Sequence, residues 1–227
     1  MKKIGIFFTV LLIAVQSYGQ QREKRDVGSF DEVQVSQAID LYLKKGTKES
    51  VEVEARGVDY DEVLTEVRGS RLKVHLSGNR YRNISVKVYV TYVELEGISA
   101  SSASTVYGDG VIKASRLTID VSSAADVEVS VDVSDIITIS ASSSGDVEVA
   151  GKAKYLEVEV SSAGGVDAYD LEAENVRVRA SSGAGAKVNA KNEIDAHASS
   201  GASIRYIGSP AKSRTDSSSG GSVRKSS

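Results

Sequence analysis

Cysteine and tryptophan are absent from the 227-residue sequence, and proline occurs only once. The lack of cysteine excludes a disulfide framework, a cysteine nucleophile and thiolate metal sites. Aromatic residues make up 6% of the chain, so a core must consist of aliphatic and small side chains. The formal net charge of −3 lacks the basic excess that is typical of nucleic-acid binding proteins, and we expect no nucleic-acid partner.

Serine and glycine are abundant instead. The chain contains 35 serines, 28 of them at or after residue 99, together with 20 glycines. Hydrophobic residues nevertheless make up 41% of the sequence. This fraction is enough for a packed core, so a wholly disordered chain is not expected.

The first residues have the pattern of a secretory signal. Met1-Lys2-Lys3 is a basic start, residues 4–15 form an apolar run, and Ser17-Tyr18-Gly19 supplies small residues for a signal peptidase. The apolar run is shorter than the roughly 20 residues of a membrane-spanning helix, which disfavours a retained anchor. We therefore predict cleavage after Gly19, and a mature chain without a membrane span in the periplasm, on the outer surface or in the medium.

The rest of the sequence is dominated by a repeat. A cassette of two serines, three mostly small residues and usually an aliphatic residue occurs seven times. Successive cassettes begin 21, 20, 19, 20, 18 and 19 residues apart. A fixed period of this length is typical of a solenoid. The first serines of the cassettes are Ser101, Ser122, Ser142, Ser161, Ser181, Ser199 and Ser218.

Alternating strands flank each cassette. Leu117, Ile119 and Val121 alternate with polar residues before one cassette, and Val127 and Val129 do so after it. A period of two places one face of each strand inward. One unit cannot bury that face alone, but stacking at about 4.8 Å buries it. The sequence therefore predicts an all-β protein, a right-handed parallel β-helix (β-solenoid) with coils of about 20 residues.

The serine pairs receive a structural interpretation. Counting by twos from Leu117 places the second serine of a pair, such as Ser123, inward and the first serine outward. We therefore expect an internal ladder of second serines. A nucleophilic role for one serine is disfavoured, because equivalent serines occur in every coil. The second serines used for this prediction are Ser123, Ser162 and Ser182.

The predicted domain organisation follows from the extent of the repeat. Residues 1–19 are the signal peptide, and residues 20–227 are predicted to form a single β-helix domain. Residues 27–98 are also rich in strand patterns but less regular, so we expect irregular N-terminal coils and a cap there. Residues 99–227 form the regular coils. Residues 213–216 are polar where the other coils have an aliphatic strand, which would protect the open edge.

The sequence resembles the bacterial head GIN domain family of auto-transporter adhesins. The resemblance covers nearly all of the mature chain and implies a right-handed β-helix, export and an adhesive role, with no catalytic residues to transfer. The motifs that carry it are Phe30 before Val33-x-Val35, Leu41-x-Leu43 before Gly46, Val51-x-Val53, Leu72-x-Val74, Val88-Tyr89-Val90-Thr91, Ser182-Gly183-Ala184-Gly185, Ser200-Gly201-Ala202 and Tyr206-x-Gly208-x-Pro210.

No catalytic, cofactor-binding or metal-binding residue is predicted. His75 and His197 are the only histidines. His197 falls at an outward position with Asp195 placed to orient it, but an exposed structural histidine is the preferred interpretation. Asp126 and Asp146 share a cassette position on adjacent coils, so we expect their carboxylates to stack and repel. Calcium would relieve this repulsion, but no third oxygen-rich coil adjoins them.

The outward positions show a trend in charge from an acidic middle to a basic end. Two interpretations stay open, a solvated surface or a contact surface for envelope glycan or a second protomer. The acidic residues are Asp120, Glu128, Glu148, Glu157, Glu159 and Asp167, and the basic ones are Arg177, Arg179, Lys187, Arg205, Arg214, Arg224 and Lys225. The tyrosines that remain as candidate ligand contacts are Tyr89, Tyr92, Tyr107, Tyr155, Tyr169 and Tyr206.

The sequence therefore predicts an exported, non-enzymatic β-helix protein that acts as an adhesin or an envelope-associated binding module. Its expected partner is a protein or glycan of the cell envelope, with self-association as an open alternative, and no cofactor is expected. Two other functions are kept as alternatives. One is a polysaccharide-acting enzyme on a β-helix, and the other is a structural module that stacks end to end.

Overall fold

The computed structural model describes residues 22–78 and 80–226, and in this part of the chain sixteen strands form one sheet. A short 3₁₀ helix spans Tyr60–Glu62. The described residues contain no helix with the length and apolarity that a membrane crossing requires. The predicted signal peptide lies outside the described residues. The strands are β1 (Glu23–Arg25), β2 (Glu32–Val35), β3 (Ile39–Lys45), β4 (Ser50–Arg56), β5 (Val63–Arg68), β6 (Arg71–Leu76), β7 (Ser85–Tyr92), β8 (Gly97–Ala100), β9 (Thr105–Val121), β10 (Asp126–Ala141), β11 (Asp146–Val160), β12 (Gly165–Ala180), β13 (Gly185–Ala198), β14 (Ser203–Ile207), β15 (Lys212–Ser217) and β16 (Ser222–Lys225).

Strands β9 to β13 each run around most of one coil and pair in parallel with the next coil. Val127 lies opposite Val147, and Ile139 lies opposite Val158. The register shifts after Val133, where the chain bends from one side of the coil to the other. The predicted β-solenoid with coils of about 20 residues is confirmed. We call the side that contains residues 126–129 the front face and the side that contains residues 136–141 the back face.

The core is a narrow column of aliphatic side chains. The alternation read from the sequence is confirmed, because Val127, Val129 and Val131 are all buried on the coil of β10. Neighbouring coils bury the equivalent residues, and the largest fully buried side chains are leucines and isoleucines. Among the described residues the buried aromatic side chains are Phe30 and Tyr92, both in the N-terminal part, so the core of the regular coils is aliphatic.

The serine cassettes form stacked tight turns. The second and third residues both have positive φ, as at Ser123 (55°) and Ala124 (57°). The N–H of Ala125 donates to the Ser122 carbonyl at 3.2 Å, closing the turn. The N–H of Ala124 then donates to the Ser143 carbonyl of the next coil at 3.1 Å. These repeated bonds between coils offset the strain of left-handed non-glycine residues.

The predicted internal ladder of second serines is wrong. The structure exposes Ser123, Ser162 and Ser182. The alternation of inward and outward side chains ends before these serines, because the second and third cassette residues both have positive φ. Among the first four cassette residues, the fourth is the buried one in the first six cassettes, and it is usually alanine or glycine. In the first cassette it is Ser104, whose hydroxyl contacts the carbonyl of Ser101 at 2.9 Å. The first serines lie outward at partly exposed positions, as predicted.

The N-terminal strands build irregular coils and an antiparallel cap. Strand β3 pairs in parallel with both β7 and β9, so the first coil in the chain lies between two later ones. Strands β1 and β4 add antiparallel to the front face beyond β7. Strands β5 and β6 form an antiparallel hairpin that continues the back face beyond β2. The β-rich N-terminal portion is therefore irregular, as the sequence predicted.

The opposite end of the solenoid is polar. Strand β15 pairs with β13, and all six of its residues are exposed. Strand β16 pairs with β14 and closes the front face. The positions equivalent to buried Ile194 and Ala196 are occupied by Ser213 and Thr215. A polar edge of this kind disfavours pairing with another strand.

Glycine is required where a coil bends after the front face. Gly151 has a φ of 120°, and a Cβ atom there would lie 1.9 Å from the Val131 carbonyl oxygen. We predict that Gly151→Ala lowers the free energy of unfolding by about 3 kcal/mol, at the upper end of typical overpacking effects. Urea denaturation followed by circular dichroism measures the change.

Gly183→Ala is the matched control. Gly183 also has positive φ, but a Cβ there meets nothing within 4 Å, and the same turn position holds Ala124 and Ala163 in other coils. We expect a loss of about 1 kcal/mol from backbone strain alone. Equal losses for the two variants would contradict this account of the bend.

Candidate ligand-binding face

One column of outward side chains runs along the parallel strands of the front face. The in-register pairing of the strands places these residues one above the next. The column divides into three tyrosines, three acidic residues and three basic residues. We call it the front column, and its members in spatial order are Tyr89, Tyr42, Tyr107, Glu128, Glu148, Asp167, Lys187, Arg205 and Arg224.

The three tyrosines form a continuous stack. The ring centroids of Tyr42 and Tyr89 are 5.0 Å apart, and those of Tyr42 and Tyr107 are 5.2 Å apart. The guanidinium of Arg22 covers the ring of Tyr89 at 3.7 Å from its centroid. Burial, together with the charge of Asp40, raises the pKa of the Tyr42 phenol, although Lys87 opposes the effect. The stack therefore presents ring edges and hydroxyls outward.

Tyr42 was not predicted from the sequence as a candidate ligand contact. Tyr42 lies between Tyr89 and Tyr107 only because β3 lies between β7 and β9. The one local signal was its place between Leu41 and Leu43.

The predicted tyrosines outside the stack have varied surroundings. Tyr92 is 2% exposed and is not available to a ligand. The remaining candidates lie off the stack: Tyr155 is exposed beside Lys154, the Tyr169 hydroxyl lies 3.0 Å from that of Ser226, and Tyr206 packs on the core.

The acidic part of the column has a second row of carboxylates beside it. Asp126 lies opposite Asp146, two residues before Glu128 and Glu148, so the predicted stacking of these aspartates is confirmed. Burial and, to a lesser extent, the charge of Asp126 raise the pKa of the Asp146 carboxyl. Among the described residues, no group of three or more His, Cys, Asp or Glu is arranged to hold a metal ion.

The acidic and basic parts meet at a single ion pair. The Lys187 ammonium donates to the Asp167 carboxylate at 2.7 Å. This hydrogen bond and the charge of Asp167 raise the pKa of Lys187, while neighbouring Arg205 acts in the opposite direction. Beyond this pair, Arg205 lies opposite Arg224.

A shallow groove of about 650 Å³ lies along the front face. Gly165 and Gly185 form part of its floor, at the position where neighbouring coils have Asp146 and Ser203. The groove is open to solvent along its length. Its lining includes Tyr107, the acidic part of the front column and two of its basic residues.

The back face has a different charge pattern. Glu157, Arg177, Asp195 and Arg214 follow one another in register and alternate in sign. Arg177 lies 3.8 Å from the Glu157 carboxylate and 4.0 Å from that of Asp195. Arg177 and Asp195, the two middle residues of this column, therefore each lie between two charges of opposite sign.

Like charges face each other between parallel coils only on the front face, among the registered pairs of described residues. These pairs are Glu128–Glu148, Glu148–Asp167, Asp126–Asp146, Lys187–Arg205 and Arg205–Arg224. The acidic-to-basic trend read from the sequence therefore holds on the front face. On the back face, acidic and basic residues alternate instead, as in the column from Glu157 to Arg214.

The two histidines lie away from the front column. His197 is on the back face, and its Nδ1 lies 3.0 Å from the Asp216 carboxylate. The expected partner Asp195 instead pairs with Arg177, so that expectation is wrong. His75 contacts the carbonyl of Leu76. A back-face groove of about 640 Å³ passes His197 and is lined by the first serines of the cassettes from Ser101 to Ser199.

These features define a β-solenoid whose outward side chains form long ladders. A family model described as "Putative auto-transporter adhesin, head GIN domain" matches residues 29–210. The chain belongs to this family, as the sequence motifs indicated. No curated protein matches the sequence.

Solved structures from Bacteroides and Parabacteroides species share the fold. A putative adhesin from Bacteroides fragilis superposes with a TM-score of 0.83 at 18% identity, over 92% of this chain and 98% of that chain. A putative lipid binding protein from Parabacteroides distasonis has a TM-score of 0.68 at 20% identity, over 91% and 96% of the two chains. A putative adhesin from Parabacteroides merdae has a TM-score of 0.68 at 16% identity, with the same coverage. At these identities the likeness establishes the fold.

Removing one carboxylate of the stacked aspartates should stabilise the protein at neutral pH. The folded state raises the pKa of Asp146 above 3.8, so it favours the protonated carboxyl. That contribution is present below pH 3.8 and is lost as the pH rises through the folded pKa. We predict that Asp146→Asn raises the thermal midpoint at neutral pH and that the gain shrinks on acidification.

Asp132→Asn serves as the control for this measurement. Asp132 is on the same β10 strand as Asp126 but lies in register between Lys113 and Lys152. Its removal should give no gain in the thermal midpoint. A similar rise for both variants would mean that the loss of any acidic residue stabilises the chain, and would contradict local repulsion at Asp146.

Proposed function

We propose that this protein is an exported, non-enzymatic adhesin-like protein that binds a charged macromolecular partner of the cell envelope through its front face. The observation that carries the proposal is the set of like-charge pairs on that face. Like charges directly opposite each other between strands are destabilising. The same chain alternates its charges on the back face, so it does not need segregated charges for folding. Retention of a destabilising pattern on one face favours a binding role.

The form of the front face suits a long partner better than a small substrate. The groove is shallow and open, and its charged residues extend over five coils instead of converging on one point. A catalytic site needs a nucleophile or acid and base within hydrogen-bond reach of one reacting atom. We therefore favour binding over the alternative of a polysaccharide-acting enzyme. The adhesin names of the family and of two of the solved relatives agree with this role.

End-to-end stacking receives less support than lateral binding. The exposed strand β15 carries serine, threonine and charged residues where an assembly edge would benefit from apolar ones. The front face, by contrast, offers a surface with strong and ordered charge. Charged surfaces of this kind steer partners and set their orientation.

A binding experiment tests the front face directly. The mature protein would be applied to glycan arrays and to immobilised bacterial envelope proteins, and the variant Glu128→Gln/Glu148→Gln would be compared with it. We expect about tenfold weaker binding of the variant to the partner that the wild type selects. We also expect the wild-type affinity to fall as salt is raised, because the attraction is between exposed charges.

The double variant Asp132→Asn/Asp135→Asn is the matched control. It also removes two negative charges, here from exposed positions of β10 that lie outside the front column. Its binding should equal that of the wild type. Equal weakening in both variants would show that net charge alone matters, and unchanged binding of the front-face variant would overturn the proposal.

A further inference from the structure

We propose that the partner of the front face is a second copy of this chain, bound face to face with its solenoid axis antiparallel. This inference rests on the proposed function in one respect, that the front face is the binding surface. The two-fold axis would run along the strand direction between the coil of Asp167 and the coil of Lys187. The six charged residues of each front column would then lie over those of the other copy.

The order of charges along the front column carries the inference. From Glu128 to Arg224 the column has three acidic residues followed by three basic residues, one per coil. Reversal of this order turns every charge into its opposite. In the antiparallel arrangement Glu128 therefore faces Arg224 of the other copy, Glu148 faces Arg205, and Asp167 faces Lys187.

The arrangement also compensates the repulsion within each copy. Glu148 lies between Glu128 and Asp167 in its own chain and has no cation in the front column beside it. The second copy supplies one from the other side of the interface. A parallel arrangement would place like charges over like charges instead, so the column specifies the orientation of the pair.

Gly185 provides an independent reason to expect a close approach at this place. Its φ lies outside the left-handed region, and a Cβ there would meet nothing within 4 Å. The fold of one chain therefore has no evident need for glycine at this position. Glycine is commonly found where another molecule approaches the backbone closely. The same position holds Thr105, Asp126, Asp146, Ser203 and Ser222 in other coils.

The antiparallel arrangement fills the space above Gly185. The axis brings Gly185 of one copy opposite Gly165 of the other. The Asp146 carboxylate lies over Gly165, since a Cβ at Gly165 would be only 2.0 Å from its Oδ1 atom. Asp146 therefore forms a projection on one copy and Gly185 a recess on the other. The two-fold symmetry makes this contact two times in the dimer.

The contact is self-complementary and closed. An isologous two-fold interface uses the same patch on both chains and ends at a dimer. The overlap covers six coils of the front face from Asp126 to Ser222. The tyrosine stack lies beyond the end of the second copy and stays accessible.

Cross-linking between different cysteine variants tests the arrangement. The sequence has no cysteine, so introduced thiols are unique. Asp126→Cys and Ser222→Cys lie at opposite ends of the overlap and face each other across the interface, roughly 10 Å apart if the two sheets pack face to face. Within a pair of identical variants the two thiols are five coils apart, about 24 Å along the axis.

We expect a short bis-maleimide cross-linker to produce covalent dimers when the two single-cysteine variants are mixed. Each variant alone should stay monomeric on a denaturing gel. Dimers from each variant alone would indicate a parallel arrangement. No dimers in any sample would overturn the inference of self-association.

A glycine substitution provides a second test that does not alter any charge. Gly185→Gln fills the recess, and the free space around Gly185 predicts an unchanged thermal midpoint at protein concentrations low enough for both proteins to be monomeric. We expect it to reduce the dimer fraction in sedimentation velocity at least tenfold. Thr118→Gln, at an exposed back-face position, is the control and should dimerise like the wild type. Equal dimerisation of both variants would contradict the close approach at Gly185.

The two proposals fail in different ways. Loss of envelope binding in Glu128→Gln/Glu148→Gln with no dimer in the wild type would leave the front face as a binding surface and remove the second copy as its partner. Dimers whose formation is unaffected by those substitutions would place self-association on another surface.

Discussion

Backbone hydrogen bonding between parallel coils held in register is the constraint on which the rest of this structure depends. Each coil donates and accepts along its strands and also through its cassette turn, as in the bond from Ala124 to Ser143. A one-residue slip in register between paired strands would shift aliphatic residues from the core to the surface. The nearly constant period, the small turn residues and the aliphatic core all follow from this requirement.

The same register that builds the core also determines the surface. A residue type that recurs at one coil position becomes a column, whether it is favourable there or not. On the back face the chain uses this to pair opposite charges, as at Glu157 and Arg177. On the front face it tolerates carboxylates stacked on carboxylates and cations stacked on cations. The difference between two faces of one solenoid is the strongest indication of where a partner binds.

The sequence predicted the parts of this structure that depend on local pattern. The period of the serine cassettes and the alternation around Leu117 and Val127 were sufficient for the solenoid and its core. The left-handed turn residues were not predicted, because Ser123 and Ala124 adopt positive φ only when neighbouring turns bond to them. The sequence predicted only part of the tyrosine stack. The place of Tyr42 in it depends on the insertion of β3 between two strands that follow β3 in the chain. The charge trend was visible in the sequence, but its division between two faces requires the register.

The central claim is that the like-charge pairs of the front column lower the stability of the fold and serve binding. An exchange of two residues tests this claim most directly. In the double variant Glu148→Arg/Arg205→Glu the six charges of the column alternate, while composition and net charge stay the same. The measurement is the urea midpoint of unfolding together with binding of the variant to the partner selected by the wild type. For self-association this partner is the wild-type protein, because two copies of the variant would again place opposite charges face to face. The account predicts a higher midpoint and weaker binding. A lower midpoint, or a higher one with undiminished binding, would contradict it.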